Sequence, residues 1–256
     1  MRRFSPMAER ADIARARAAW DLDDQFAAQY ASPAGRRLIT DRWARFESFL
    51  DAWHAGSGTP PKAILDAGCG DGINLVGLSA IVARRGWTPA LHGTDRNALR
   101  LARAAASGAA LTRASLLALP YPDAAFDVVL CNHVLEHIPD FASALGELHR
   151  VIRPGGLLIV GVPNEGCALA RLRNHVLQRS ILATTDHVHF FTARSLSRAI
   201  ADAGFRTPSV AVEEFFWPHM AIGRLVQATG AGRALSRALG RAIPGQAAGL
   251  IARALR

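Results

Sequence analysis

The run Ile64-Leu65-Asp66-Ala67-Gly68-Cys69-Gly70-Asp71-Gly72 constrains this chain more than any other stretch. Apolar residues end a short buried strand, an acid follows, and glycines then fall at every second position. That order predicts a strand turning sharply into a helix, with main chain left bare for a ligand. The turn is not the dinucleotide fingerprint, which needs glycine or alanine at its sixth position; counted from Gly68, that position is Ile73. No Gly-Lys-Ser/Thr follows, so it is not a phosphate-binding Walker loop either. Asp66 would repel a pyrophosphate but suits a ligand carrying cationic groups.

Downstream, strand and helix alternate. Residues 63–65, 90–95, 109–114, 126–131 and 157–162 read as strands. Val128-Val129-Leu130 is continuously apolar, as in a strand buried on both faces. Helices are expected over 72–84, with Ile73, Val76, Leu78 and Ile81 among the apolar positions, over 97–106, and over 140–152, stopped by Arg153-Pro154-Gly155-Gly156. A further helix capped by Thr192 runs to Gly204. Residues 209–215 and 247–254 are candidate closing strands, paired antiparallel. The pattern predicts an α/β fold: a doubly wound, mostly parallel, seven-stranded Rossmann-like sheet with helices on both faces. It carries an N-terminal helical lid and a C-terminal helical insertion. Residues 1–60 are read as a helical cap, 61–215 as the core, and 216–256 as basic amphipathic helices with a closing strand of the same domain.

In the cap, a helix is expected over 8–30, broken by Ser32-Pro33-Ala34-Gly35. A second follows, with Leu38, Trp43, Phe46, Phe49, Leu50 and Trp53 on an apolar stripe. The stripe reads as packing onto the core; the functional alternative is a lid that brings Tyr30 near the ligand.

At this point the motifs together resemble the class I S-adenosylmethionine-dependent methyltransferases, in the branch that includes quinone-biosynthesis and many small-molecule enzymes. Asp66 to Gly72 looks like the family's first motif, and Gly93-Thr94-Asp95 like the acid that holds the ribose hydroxyls. Leu119-Pro120-Tyr121-Pro122-Asp123 with Phe126-Asp127-Val128-Val129, His133-Val134-Leu135-Glu136-His137-Ile138-Pro139-Asp140, and Arg153-Pro154-Gly155-Gly156 follow in family order. The resemblance covers roughly residues 60–205. It implies S-adenosyl-L-methionine as cofactor, held by Asp66, Gly68, Cys69, Gly70, Gly72, Asp95, Arg96, Ser115, Leu116, Asn132 and His133. Ser115 departs from the pattern: the family commonly has an acid there for the adenine amino group. A serine hydroxyl still accepts a hydrogen bond, so a looser hold on adenine is expected.

The implied reaction is displacement of methyl from sulfur onto a small-molecule or lipid-like acceptor, oxygen favoured over nitrogen or carbon. His137 is the first candidate for a base and His187 the second; fixing a loop is the competing role for His137. In Asp186-His187-Val188-His189 the two histidines alternate and are expected on one face of a strand. A metal would need a third ligand, and Asp186 is too close in sequence, so no metal is expected.

The net charge of the 256-residue chain is +9. Arginine-rich composition explains it as readily as an acidic partner. Arg224, Arg233, Arg237 and Arg241 alternate with apolar residues in the last helices. A solvated helix face is the plain reading, and peripheral membrane contact the functional one. Nucleic acid is disfavoured, since no aromatic platform accompanies the charge. The three cysteines, Cys69, Cys131 and Cys167, fit neither a zinc site nor a redox pair. With no signal-peptide pattern at the start, a cytoplasmic location is expected. Two rival functions remain: a nicotinamide-dependent oxidoreductase, which fails at Asp66 and Ile73, and a non-catalytic module that keeps the fold as a scaffold.

Overall fold

The computed structural model describes residues 33–256. The helix expected over 8–30, and Tyr30 with it, lies outside the described residues. The described chain runs α1 (Pro33–Ser57), β1 (Ala63–Ala67), α2 (Ile73–Arg84), β2 (Ala90–Asp95), α3 (Ala98–Ala104), β3 (Ala110–Arg113), β4 (Phe126–Asn132), α4 (Phe141–Val151) and β5 (Ile152–Pro163). It continues through α5 (Ala168–Leu172), a π-helical turn (Arg173–Leu177), α6 (Ser180–Thr184), α7 (Ala193–Asp202), β6 (Arg206–Val212), α8 (Met220–Gln227), α9 (Gly230–Ala242) and β7 (Gly249–Leu255).

The strands form one seven-stranded sheet in the order β3-β2-β1-β4-β5-β7-β6. The first five are parallel, and β7 runs antiparallel to both neighbours. Strand order reverses between β1 and β4, the place where open α/β sheets leave a crevice at the carboxyl ends of their strands.

Both sheet faces are packed. Side chains alternate across the pleat, so Val128 and Leu130 of β4 point to one face and Val129 and Cys131 to the other. On the first face Ile64, Leu157 and Ile159 join them beneath α1 and α2, where Phe46, Leu50, Leu78 and Ile81 are buried. On the second, Leu145 and Leu148 of α4 and Leu196 and Ile200 of α7 close the core. The aromatic stripe of α1 therefore packs on the sheet. Trp53 Nε1 donates to the Gly155 carbonyl at 3.0 Å, and Arg85, which caps the end of α2, clamps Asp51 at 2.6 Å and Glu47 at 2.7 Å.

Pro33 begins α1, the second helix expected in the cap: proline lacks only an N–H that the first turn leaves unbonded anyway. On α2 the buried face is Leu75, Leu78, Ile81 and Val82, while Val76 is 49% exposed. Two local expectations are corrected. β5 starts at Ile152 rather than Leu157. Ile152 pairs with Phe126, residues 153–156 bulge out, and pairing resumes at Leu157. Asp127 stabilises that bulge, taking Arg153 on one oxygen and the Lys62 and Ala63 N–H groups on the other. Finally, residues 185–192 are not a strand. The Val188 and His189 N–H groups both donate to the Glu136 carbonyl, at 2.8 and 3.2 Å, so the backbone wraps one acceptor instead of forming a ladder.

Candidate active site

The glycine loop leaves the carboxyl end of β1. Gly68, Gly70 and Gly72 all have positive φ, +80°, +52° and +85°. The Gly68 and Cys69 N–H groups donate to the Thr94 carbonyl at 2.7 and 2.8 Å, lashing the loop to β2. Only glycine fits at 68: besides its left-handed backbone, a Cβ there would lie 2.4 Å from a methyl of Val134. The loop thus lies against the segment that follows β4.

Two acids flank it. Asp95 ends β2 and accepts from the Gly70 N–H at 3.0 Å and the Asn97 N–H at 2.8 Å, one on each oxygen. Each carboxylate oxygen keeps a further lone pair for an incoming donor. Asp66 is fully buried and neither of its oxygens has a partner in the protein. Burial first, and the neighbouring Asp95 charge second, push its pKa up to about 8. A buried carboxylate without donors is costly. The site is therefore built to receive a group that brings donors or positive charge.

The remaining residues expected around the cofactor lie at the same sheet edge or next to it. Asn132 ends β4, buried, with Oδ1 unpartnered. His133 has φ +56°, donates its N–H to the Gly161 carbonyl at 2.8 Å, and places Nδ1 3.2 Å from Glu136 Oε1. The Ala114 N–H donates to the Asp95 carbonyl, which sets Ser115 beside that acid. Ser115 is exposed and its hydroxyl accepts from the Leu117 N–H in a tight turn, while Leu116 is buried. The Arg96 side chain is exposed and its carbonyl accepts from Arg113 Nε.

Past His133 lies a polar cluster that joins three chain segments. His137 and His187 meet edge to face with ring centroids 4.8 Å apart. His187 Nδ1 is 2.6 Å from Glu165 Oε2, and Glu165 is also held by Arg173 at 2.9 Å. His137 Nδ1 is 3.1 Å from Asp186 Oδ1, at ion-pair distance but out of hydrogen-bond alignment. Glu136, wholly buried, comes within 4.8 Å of both imidazoles, with Oε2 unpartnered. Burial lowers the His187 pKa, but the Glu165 carboxylate outweighs it and the net shift is upward. For Glu165 and Asp186, burial is likewise outweighed by their histidine partners, and both are held below the usual carboxylate range. His189, expected beside His187, goes elsewhere: its Nε2 meets the Pro139 carbonyl at 3.0 Å and its ring packs on Phe141.

Glu136, Glu165 and Asp186 were not among the residues expected here. The sequence did hold signals for two of them: Glu136 adjoins His137, and Glu165 follows β5 at the sheet edge where ligands bind. Beyond Glu165, a cavity of about 280 Å³ is lined by Arg171, Asn174, His175 and Phe190.

Residues 36–210 match the family model described as a methyltransferase domain. A ubiquinone biosynthesis O-methyltransferase of Aeromonas salmonicida is 30% identical over 196 residues, 72% of this chain and 75% of that one. A methyltransferase of Mycobacterium sp. (strain JLS), itself uncharacterized, is 37% identical over 112 residues, 43% of each chain. The chain spans about half the length, or less, of several curated relatives it matches. Among solved structures, an S-adenosylmethionine-dependent methyltransferase of Thermotoga maritima superposes with a TM-score of 0.58 at 19% identity, covering 93% of this chain and 99% of that one. That likeness concerns the fold.

Proposed function

Because this chain belongs to the class I S-adenosylmethionine-dependent methyltransferases, we propose that it methylates an oxygen of a small, lipid-like acceptor. The cofactor brings a methyl group already activated on a sulfonium. The residues of the chain bind it, orient the acceptor and exclude water.

In this reading Gly68, Cys69, Gly70 and Gly72 offer bare backbone to the cofactor, and Asp95 takes the ribose hydroxyls. Asp66 answers the cationic methionine end, with Asn132 and His133 beside it. Ser115, Leu116 and Arg96 border the adenine. The fit rests on the orphaned, buried Asp66 carboxylate and on the left-handed glycine backbone at 68, 70 and 72 beside it. Residues 61–215 form the working core, and 216–256 add a covering element and the last strand.

One observation carries the oxygen acceptor: two imidazoles, His137 and His187, each face a carboxylate just past the carboxyl end of β4. Either can hold a hydroxyl and accept the proton it must lose, whereas a neutral amine attacks through its lone pair and needs no base before transfer. The Aeromonas relative's name also specifies an O-methyltransferase. The lipid-like character is supported by α8. It buries no residue fully, and Met220, Ile222 and Leu225 are exposed beside Arg224. The Met220 N–H donates to Gln178 Oε1 at 3.1 Å, so α8 adjoins the segment bearing exposed Leu172, Val176 and Leu177. An apolar surface with arginines suits peripheral contact with an anionic membrane. No helix among the described residues is long and apolar enough to cross one.

The test is transfer of label from methyl-tritiated cofactor to a panel of phenols, catechols, amines and carbon acids carrying alkyl tails. Selective labelling of the hydroxylated members supports the reading. Labelling of amines alone refutes the oxygen acceptor, and cofactor binding with no acceptor labelled favours a non-catalytic module.

A further inference from the structure

We propose that Glu136, His137 and His187 bind a divalent transition-metal cation beside the cofactor site. The sequence argued against a metal for want of a third ligand near His187, and the fold supplies two. One ligand atom from each of the three residues lies within 4.8 Å of the others, a separation a single ion can bridge.

Three features make this more than a chance grouping. The first is the unpartnered carboxylate. Glu136 is wholly buried, its Oε1 faces His133 and His137, and its Oε2 has no partner in the protein. A cation among these residues would satisfy that oxygen. The second is the outer ring of acids. Glu165 fixes Nδ1 of His187 and leaves Nε2 as its free nitrogen, while Asp186 faces Nδ1 of His137, whose Nε2 lies 3.9 Å from Glu136. His187 is held as ligating histidines typically are, by an acid on the nitrogen that does not bind the metal. The third is rigidity. Arg173 ties Glu165 down, and the Glu136 carbonyl gathers the Val188 and His189 N–H groups, so the loop bearing His187 is anchored on the residue it works with.

Three protein ligands leave a coordination position open, the pattern of a working rather than a structural site. Two imidazoles and one carboxylate favour zinc over magnesium or calcium. The binding site stands on this geometry alone. Its use, ligating an acceptor oxygen, rests on the oxygen-acceptor reading and refines the role given there to the two histidines, which would hold that oxygen through the ion.

The experiment uses the full chain, stripped with a chelator and titrated with Zn²⁺ against a zinc-sensitive dye, with Mn²⁺ and Mg²⁺ in parallel. One Zn²⁺ per chain is expected, bound at least tenfold more tightly than Mg²⁺. Affinity should fall at least tenfold in His187→Ala and His137→Ala, and also in Glu165→Gln, which removes only the outer acid. His189→Ala should bind as the wild type does. If an alanine variant fails to fold, Glu136→Gln carries the same prediction with little change of shape. The inference is overturned if folded wild type binds no stoichiometric Zn²⁺, or if binding survives in both His187→Ala and Glu136→Gln. Cofactor affinity, measured on the same samples without metal, separates failure of this site from failure of the methyltransferase reading.

Discussion

Gly161 and Asn132 are register partners across β4 and β5, and they meet so closely that a Cβ on Gly161 would lie 2.0 Å from Asn132 Oδ1. The missing side chain on one strand makes room for the amide at the end of the other. The same glycine accepts the His133 N–H at 2.8 Å. One small residue on β5 therefore sets where two proposed cofactor contacts lie.

Gly161→Ala should displace Asn132. The overlap predicts a loss of about 1–3 kcal/mol in stability, the usual cost of overpacking. Cofactor affinity should fall along with it. Chemical denaturation and calorimetric titration of the same variant read the two effects separately, and an unchanged affinity would detach Asn132 from the cofactor.

Gly68→Ala tests the loop itself. The left-handed backbone costs about 1–2 kcal/mol for a residue with a Cβ, and the contact with Val134 adds to it. The double variant Gly68→Ala with Val134→Ala should recover the steric part only. Full recovery would mean that backbone conformation matters little here.

Asp66 makes stability depend on pH. Its carboxyl shifts from an ordinary 3.8 to about 8 on folding, so the folded chain holds a proton that the unfolded chain releases. Stability from this group is fully present below pH 4, falls as pH rises toward 8, and is flat above. Asp66→Asn removes that fall. In cofactor-free protein the variant should gain on wild type by on the order of a few kcal/mol between pH 4 and pH 8, while binding cofactor more weakly. Parallel pH profiles of the two proteins would contradict the buried, unpartnered state of the acid.

Much of this architecture is legible in the residues. The apolar run of β4, the acids ending β1 and β2, and the Thr192 cap each follow from local chemistry. Thr192 does accept from Ser195 in a capping box. What the sequence hides is contact at a distance. Glu165 and His187 are 22 positions apart and meet because the loop before α7 folds around the Glu136 carbonyl. Alternation suggested a strand there, since no local pattern reports that two N–H groups share one acceptor. The start of β5 was hidden in a similar way: Pro154 and Gly155 read as a stop, whereas Asp127 and Arg153 carry the strand through a bulge.

The exposed face of α8 predicts membrane contact. Ile222→Glu together with Leu225→Glu should abolish sedimentation with vesicles containing anionic lipid and leave stability within about 0.5 kcal/mol, since both residues are exposed. Sedimentation equal to wild type would return α8 to a plain solvated helix.

The central claim rests on Asp95 and the loop it anchors. Titrating S-adenosylhomocysteine into the wild type and into Asp95→Ala tests it most directly. One site per wild-type chain is predicted, with binding weakened by about 1.5–3 kcal/mol in the variant through lost hydrogen bonds to a charged group. No heat from folded wild type, or equal affinity in both proteins, would contradict it.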